Sequence, residues 1–94
     1  MRNNSALGLS KLVREYREKR GLTQKEMSRL LGYKTPQFVS MYELGKVSIP
    51  NKTLGKLIKI LGIPERSIYK ILLEKYKYEL SKELFHLRNQ KEFK

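Results

Sequence analysis

The sequence contains no cysteine and a single histidine, His86, so it lacks most of the side chains that bind metals or carry out redox chemistry. Without cysteine there can be no disulfide, iron–sulfur ligand or thiol nucleophile, and a zinc site of His and Cys ligands cannot be assembled. The lone imidazole near the C-terminus leaves every serine without a plausible general base. We therefore expect no enzyme activity, no metal and no cofactor.

Long apolar runs are also missing, and none approaches the roughly 20 residues needed to span a bilayer. No apolar segment typical of a signal peptide follows the N-terminus. Acidic residues are scarce: 9 Asp and Glu stand against 21 Lys and Arg, giving a net charge of +12 and a pI near 10.1. Such a chain attracts polyanions, nucleic acid before acidic membrane surfaces. These features predict a cytoplasmic, nucleoid-associated protein with no membrane role.

The apolar residues that are present recur at helical spacing, and no stretch alternates like a half-buried strand. Four glycines, Gly21, Gly32, Gly45 and Gly62, end successive helical segments. The pattern predicts five helices and no sheet, preceded by a polar arm that includes Asn3-Asn4. We expect that arm to be a disordered terminus, with DNA contact as the alternative. The 94 residues suffice for one small domain and no more.

The second and third predicted helices are short and are joined by a tight turn. Thr23 and Glu26 form a capping box at the start of the second helix. Ser28 leaves room for the third helix to cross closely, and Gly32 supplies the positive φ that the turn needs. Two such helices in a basic all-α domain describe a helix-turn-helix.

The third helix, about residues 35–44, is predicted to begin with Thr35 as cap and Pro36 in the first helical position. Val39 and Tyr42 then face the core. The outward side carries Pro36, Gln37, Ser40 and Met41. These positions suit the major groove, where Gln reads adenine through N6 and N7.

Four blocks of sequence resemble the Cro/lambda-repressor-like (XRE-type) helix-turn-helix family, and the resemblance runs from about Leu9 to Ile71. The blocks are Val13-Arg14-Glu15-Tyr16-Arg17, Arg20-Gly21-Leu22-Thr23-Gln24, Leu30-Leu31-Gly32 and Ser40-x-Tyr42-Glu43-x-Gly45-Lys46. The resemblance implies a five-helix lambda-repressor-like bundle. It also implies sequence-specific binding of double-stranded DNA by a transcriptional regulator, as a dimer on a palindromic operator.

The resemblance further implies roles for single residues. Gln24 would anchor the second helix to a phosphate, and Gln37 and Met41 would read bases. Arg17 and Glu43 would form a partly buried ion pair between the first and third helices, which fixes geometry more than it adds stability. The expected DNA-binding set is Thr23, Gln24, Lys34, Thr35, Pro36, Gln37, Ser40, Met41, Lys46, Ser48, Asn51 and Lys52.

Some of these residues have a second interpretation. Asn51 at a helix start is first a helix cap, and the lysines are common surface residues in so basic a chain. The chain also has one residue more between Gly32 and Glu43 than the usual family spacing. We expect the turn at residues 33–35 to take it up; otherwise Phe38 would occupy the core place of Val39.

The last helix, from Glu65 to about Asn89, would be ~38 Å long and would outrun the bundle. We therefore divide the chain into a DNA-binding domain, residues 1–72, and an extension, residues 73–94. The extension carries an apolar seam of Leu73, Tyr76, Leu80, Leu84 and Leu87. The favoured interpretation is a homodimer through this seam. Folding back over the bundle, a protein partner and an acidic membrane surface are the alternatives.

The leading functional hypothesis is a small bacterial, phage or plasmid transcriptional regulator, such as a repressor, that acts by occupying an operator. A second hypothesis is an antitoxin-like interaction protein whose C-terminal helix binds a protein partner. A third is a nonspecific nucleic-acid binder that relies on charge alone.

Overall fold

Five α-helices follow one another in a computed structural model, which describes residues 5–89 and, for residues 5–7, the backbone only. They are α1 (Ser5–Lys19), α2 (Gln24–Leu30), α3 (Gln37–Glu43), α4 (Asn51–Leu61) and α5 (Glu65–Arg88). The described part contains no strand, so the prediction of an all-α, five-helix bundle with a long last helix is confirmed. The Asn3-Asn4 arm and residues 90–94 lie outside the described residues.

A capping box starts α2, as the sequence predicts. The Glu26 amide donates to Thr23 Oγ1 over 3.0 Å, and the Thr23 amide donates to Glu26 Oε1 over 2.8 Å. The hydrogen bond from the Thr23 backbone holds the pKa of the Glu26 carboxyl below its ordinary value. The pair satisfies two amides that have no carbonyl partner inside the helix.

The turn between α2 and α3 depends on Gly32, whose φ is +87°. The Gly32 amide donates to the Arg29 carbonyl over 3.0 Å, and the Tyr33 amide donates to the Ser28 carbonyl over 2.8 Å. This pair of bonds is the Schellman arrangement, which ends a helix through a residue in the left-handed region. It reverses the chain sharply enough for α3 to pack across α2.

The starts of α3 and α4 differ from the prediction. Helix α3 begins at Gln37, because the ψ of Pro36, 4°, is far from the helical value of about −42°. Pro36 is therefore the N-cap, and Thr35 Oγ1 receives only a long bond, 3.5 Å, from the Gln37 amide. At α4 the extended Pro50 is the N-cap, so Asn51 is the first helical residue and provides no side-chain cap.

The core lies among the first four helices and the start of α5. Its buried members are Leu9, Val13, Met27, Leu31, Val39, Leu54, Leu57, Leu61, Ile63 and Ile68. Val39 is fully buried while Phe38 is 50% exposed. Val39 therefore occupies the core place, as expected, and Phe38 does not. That the turn at residues 33–35 takes up the extra residue stays a prediction.

Helix α5 packs its first turns on the bundle and continues beyond it. Ile68 is buried, Ile71 and Leu72 are half-buried, and the helix contacts α1. The long axis of the described chain is 54 Å, against 25 and 23 Å in the other two directions. Across residues 5–89, no helix combines the length and apolar character that crossing a bilayer requires.

Ser28 provides a test of the α2–α3 crossing, because its side chain is 1% exposed. We expect Ser28→Leu to lower the free energy of unfolding by about 1–3 kcal/mol, since a packed core resists added volume. Ser28→Ala keeps the side chain small and removes a hydroxyl that bonds to nothing among the described residues. The free energy of unfolding should therefore change by less than about 0.5 kcal/mol. Urea denaturation measures the free energy of unfolding of both variants. Equal losses of stability in the two variants would contradict the close crossing of α2 and α3.

Candidate nucleic-acid interface

A buried ion pair joins α1 to α3. Arg17 Nε lies 2.6 Å from Glu43 Oε2, and Arg17 Nη2 lies 3.1 Å from Glu43 Oε1. The two side chains are 10% and 3% exposed. Arg17 Nη1 also donates to the Leu22 carbonyl over 2.7 Å. The hydrogen bond to Glu43 raises the pKa of the Arg17 guanidinium, against the opposing effect of burial. The planar fork therefore holds α1, the α1–α2 turn and α3 at fixed positions.

Gln24 extends this network to α2. Its Nε2 donates to Glu43 Oε1 over 3.0 Å, so one carboxylate receives hydrogen bonds from α1 and from α2. The sequence suggested a phosphate contact for Gln24 and did not reveal this partner inside the protein. The phosphate contact stays a prediction, and the observed bond sets the position of α2 relative to α3.

Most side chains of the expected DNA-binding set are exposed, and three are half-buried. The exposed ones are Thr23, Lys34, Thr35, Pro36, Gln37, Lys46, Ser48, Asn51 and Lys52. The half-buried ones are Gln24, Ser40 and Met41. The set is distributed over the start of α2, the turn before α3, α3 itself, the α3–α4 loop and the first turn of α4.

An aromatic cluster supports α3 and brings Phe38 to the surface. The Phe38 ring lies 5.1 Å from the Tyr33 ring and 6.2 Å from the Tyr42 ring, measured between centroids. The hydroxyls of Tyr33 and Tyr42 are 2.8 Å apart, and the Tyr33 hydroxyl is 3.5 Å from that of Thr53. Burial, followed by the bond with Tyr33, raises the pKa of Tyr42 to about 12.

Phe38 is absent from the DNA-binding set that the sequence predicts. Once Val39 and Tyr42 are placed in the core, the helical spacing of about 100° per residue turns Phe38 partly toward the outward face, beside Gln37. An aromatic residue there, among polar neighbours, was the available signal.

Arg20 has a structural partner that the sequence did not show. It was expected on a solvated face, and it is exposed, but its Nε donates to the Leu61 carbonyl over 3.2 Å. Leu61 is the last residue of α4, where a cation is favoured by the free carbonyls. Arg20 thereby links α1 to the end of α4.

The fold and this helix–turn–helix geometry agree with the family comparison. The chain belongs to the lambda-repressor-like (XRE-type) helix-turn-helix family, whose helix-turn-helix sequence model matches residues 13–68. Membership identifies a DNA-binding domain of the kind that regulators carry. No solved structure matches the chain.

Among curated proteins, the chain is 33% identical over 60 residues to endothelial differentiation-related factor 1 homolog of Danio rerio. It is 32% identical to the homolog of Xenopus laevis and 33% identical to endothelial differentiation-related factor 1 of Homo sapiens, again over 60 residues. The match covers 64% of this chain and 40% of each relative. These relatives are vertebrate proteins, and the bacterial, phage or plasmid role stays a prediction.

The described residues bring together no group of three or more His, Cys, Asp or Glu side chains able to hold a metal ion. The site consists instead of hydrogen-bonding and cationic side chains around a rigid pair of helices. Such a site can bind a polyanion and read base edges.

The ion pair should be needed for the fold. Glu43→Gln removes the charge that pairs with Arg17 inside the protein. We expect the free energy of unfolding to fall by about 3 kcal/mol, because breaking a buried pair leaves one charge uncompensated. Chemical denaturation followed by circular dichroism measures this. The exposed Arg14–Glu18 pair, 3.4 Å apart, is the matched control. It is broken from the Arg14 side, because Glu18 also lies 3.9 Å from Arg17 Nη2. Arg14→Gln should lower the free energy of unfolding by less than about 1 kcal/mol. A Glu43→Gln loss no larger than the control would show that the buried pair does not stabilise the bundle.

Alkaline pH should weaken the aromatic cluster. The pKa of Tyr42 is raised from 10.0 to about 12, so its stabilising effect is present below pH 10 and is lost as the pH rises through 12. Tyr42→Phe cannot ionise, and we expect its unfolding free energy to depend less on pH between 10 and 12 than that of the parent chain. Tyr69→Phe, at an exposed tyrosine, is the control. If the unfolding free energies of the parent chain and Tyr42→Phe changed equally with pH, the raised pKa of Tyr42 would be contradicted.

Proposed function

We propose that the protein is a sequence-specific, double-stranded DNA-binding transcriptional regulator that inserts α3 into the major groove. The observation that carries the proposal is the fixed α2–α3 pair: Glu43 accepts hydrogen bonds from both Arg17 and Gln24, and Gln37 stands exposed at the start of α3. A recognition helix must be held rigidly if a side chain is to discriminate base edges.

Three side chains of α3 are assigned to base reading. Gln37 offers both a donor and an acceptor, which match N6 and N7 of adenine. Phe38 adds a half-exposed ring of the kind that contacts a thymine methyl group, and the half-buried Met41 lies on the next turn of the helix. The smaller polar groups of Thr35 and Ser40 border this surface.

Phosphate contacts are assigned to the exposed cations and to polar groups at loops and helix starts. Lys34 precedes α3, Lys46 follows it, and Lys52 lies in the first turn of α4. Thr23, Gln24, Pro36, Ser48 and Asn51 complete the proposed contact surface. The net charge of +12 supports strong, salt-dependent attraction to the duplex.

The proposal includes a homodimer on a palindromic operator. Four seam residues, Leu73, Tyr76, Leu80 and Leu84, are 42–64% exposed, and Leu87 is half-buried. The exposure of these four supports an interface with another molecule over folding back on the bundle. Exposed apolar surface of this extent marks an interaction site. The second candidate function, an antitoxin-like protein whose α5 binds a protein partner, rests on the same exposure.

Selection from a random duplex library at ~150 mM salt, followed by sequencing, tests the proposal. We expect enrichment of an inverted repeat with half-sites about one turn, ~34 Å, apart. Enrichment of a single asymmetric half-site would keep the DNA-binding domain and contradict the dimer. Binding without enrichment, abolished by added salt, would contradict sequence specificity.

Two alanine variants separate base reading from phosphate contact. Gln37→Ala should relax specificity at one base position and weaken binding there by ~1–3 kcal/mol. Lys46→Ala should weaken all sequences alike and lower the log–log salt slope by about 0.9. Fluorescence anisotropy on the selected operator and on single-base variants measures both. If both variants changed base preference and salt dependence in the same way, the separate roles of Gln37 and Lys46 would be contradicted.

A further inference from the structure

Helix α5 carries an apolar stripe whose members are widely exposed. Tyr69, Leu73, Tyr76, Leu80 and Leu84 are 58%, 64%, 63%, 42% and 48% exposed, respectively. Successive members are three or four residues apart and follow the 3.6-residue period of a straight helix. The stripe therefore stays on one side of α5 from its second turn almost to its end.

The stripe points away from the bundle. The apolar residues of α5 that pack on the core are Ile68, Ile71 and Leu72. At about 100° per residue, the centre of the stripe lies about 130° round the helix from them. The bundle of its own chain therefore leaves the stripe uncovered.

The two edges of the stripe carry opposite charges. By the same helical spacing, Glu79 and Glu83 border one edge, while Lys70, Lys77 and Arg88 border the other. All five side chains are exposed. A partner that is acidic along its whole surface would meet repulsion at the glutamate edge, as would an anionic membrane.

Two-fold symmetry makes these edges self-complementary in one orientation. In a parallel pair related by a two-fold axis, the acidic edge of one helix faces the basic edge of the other on both sides. In an antiparallel pair, like edges face each other, and like charges repel.

We propose that a second copy of this chain covers the stripe as a parallel, in-register α5 pair. This inference rests on the proposed function only in naming the homodimer, and it adds the orientation. Parallel pairing brings both helix-turn-helix domains to the same end of the pair. Antiparallel pairing would place them at opposite ends of a particle whose subunits are each 54 Å long.

Cysteine cross-linking tests the orientation, because the native chain contains no cysteine. Leu73→Cys and Leu84→Cys are made separately, and each is oxidised alone and in a mixture. The two positions are about 16 Å apart along one helix, beyond the reach of a disulfide. We expect each variant alone to form a covalent dimer. Cross-linking only in the mixture would overturn the parallel orientation.

Charge exchange gives a second test by sedimentation equilibrium. Glu79→Lys/Glu83→Lys makes both edges basic, and we expect the dimer dissociation constant to rise about tenfold, or 1.4 kcal/mol. Adding Lys77→Glu/Arg88→Glu to the same chain should restore the dissociation constant of the parent chain, because the two edges again carry opposite charges. Glu15→Lys, an exposed charge change on α1, is the control and should have little effect. An unchanged dissociation constant for the first variant would overturn the parallel orientation.

The outcomes separate this inference from the proposed function. A dimer that binds an inverted repeat but cross-links only in the mixture overturns the orientation and leaves the function standing. A parent chain that is monomeric at ~100 μM, with or without duplex, overturns both the parallel pair and the homodimer. Sequence selection on that monomer still decides whether the DNA-binding domain works.

Discussion

The carboxylate of Glu43 is the point on which the arrangement of the first three helices depends. It accepts two hydrogen bonds from Arg17 on α1 and one from Gln24 on α2, while itself belonging to α3. Because the carboxylate is almost entirely buried, no water can replace these partners at low cost. Helix α3 is therefore positioned by a network of charge-assisted hydrogen bonds in addition to apolar contacts.

This network and the apolar core act on opposite sides of α3. Val39 and Tyr42 attach its inner face to the bundle, and Tyr42 is held by Tyr33. The outer face is left with Gln37 and a half-exposed Phe38. A short helix of this kind gains little stability from its own hydrogen bonds, so tertiary contacts must hold it in place. The proposed base reading depends on these contacts holding α3 in one position.

The long helix α5 separates two tasks within 94 residues. Its first turns complete the core through Ile68, and its remainder extends an apolar stripe into solvent. A single bundle with half-site contacts alone would bind DNA weakly. In the proposed dimer, the second half-site contact would become an intramolecular event, which multiplies the affinity. The +12 charge favours attraction to polyanions, and the charged edges of the stripe would select the proposed partner.

Much of the fold was predictable because its signals are local. The apolar period, the Thr23–Glu26 capping box and the glycine at position 32 each act within one or two turns of chain. The first residues of α3 and α4, which follow Pro36 and Pro50, could be predicted only to within one or two residues. The choice there depends on a backbone angle, which the residue type restricts but does not determine.

The residue types and their spacing establish the all-α class, the helix-turn-helix motif, the positive charge and the apolar seam on the last helix. Composition and short-range spacing are sufficient for each of these. The three-dimensional packing was needed to show that Gln24 bonds to Glu43 and that Arg20 reaches the Leu61 carbonyl. It was also needed to show that the seam is exposed, and that Phe38 reaches the surface while Val39 is buried. These contacts join residues that are distant in the chain or depend on how one helix is rotated against another. Their formation is set by packing, which local sequence patterns do not encode.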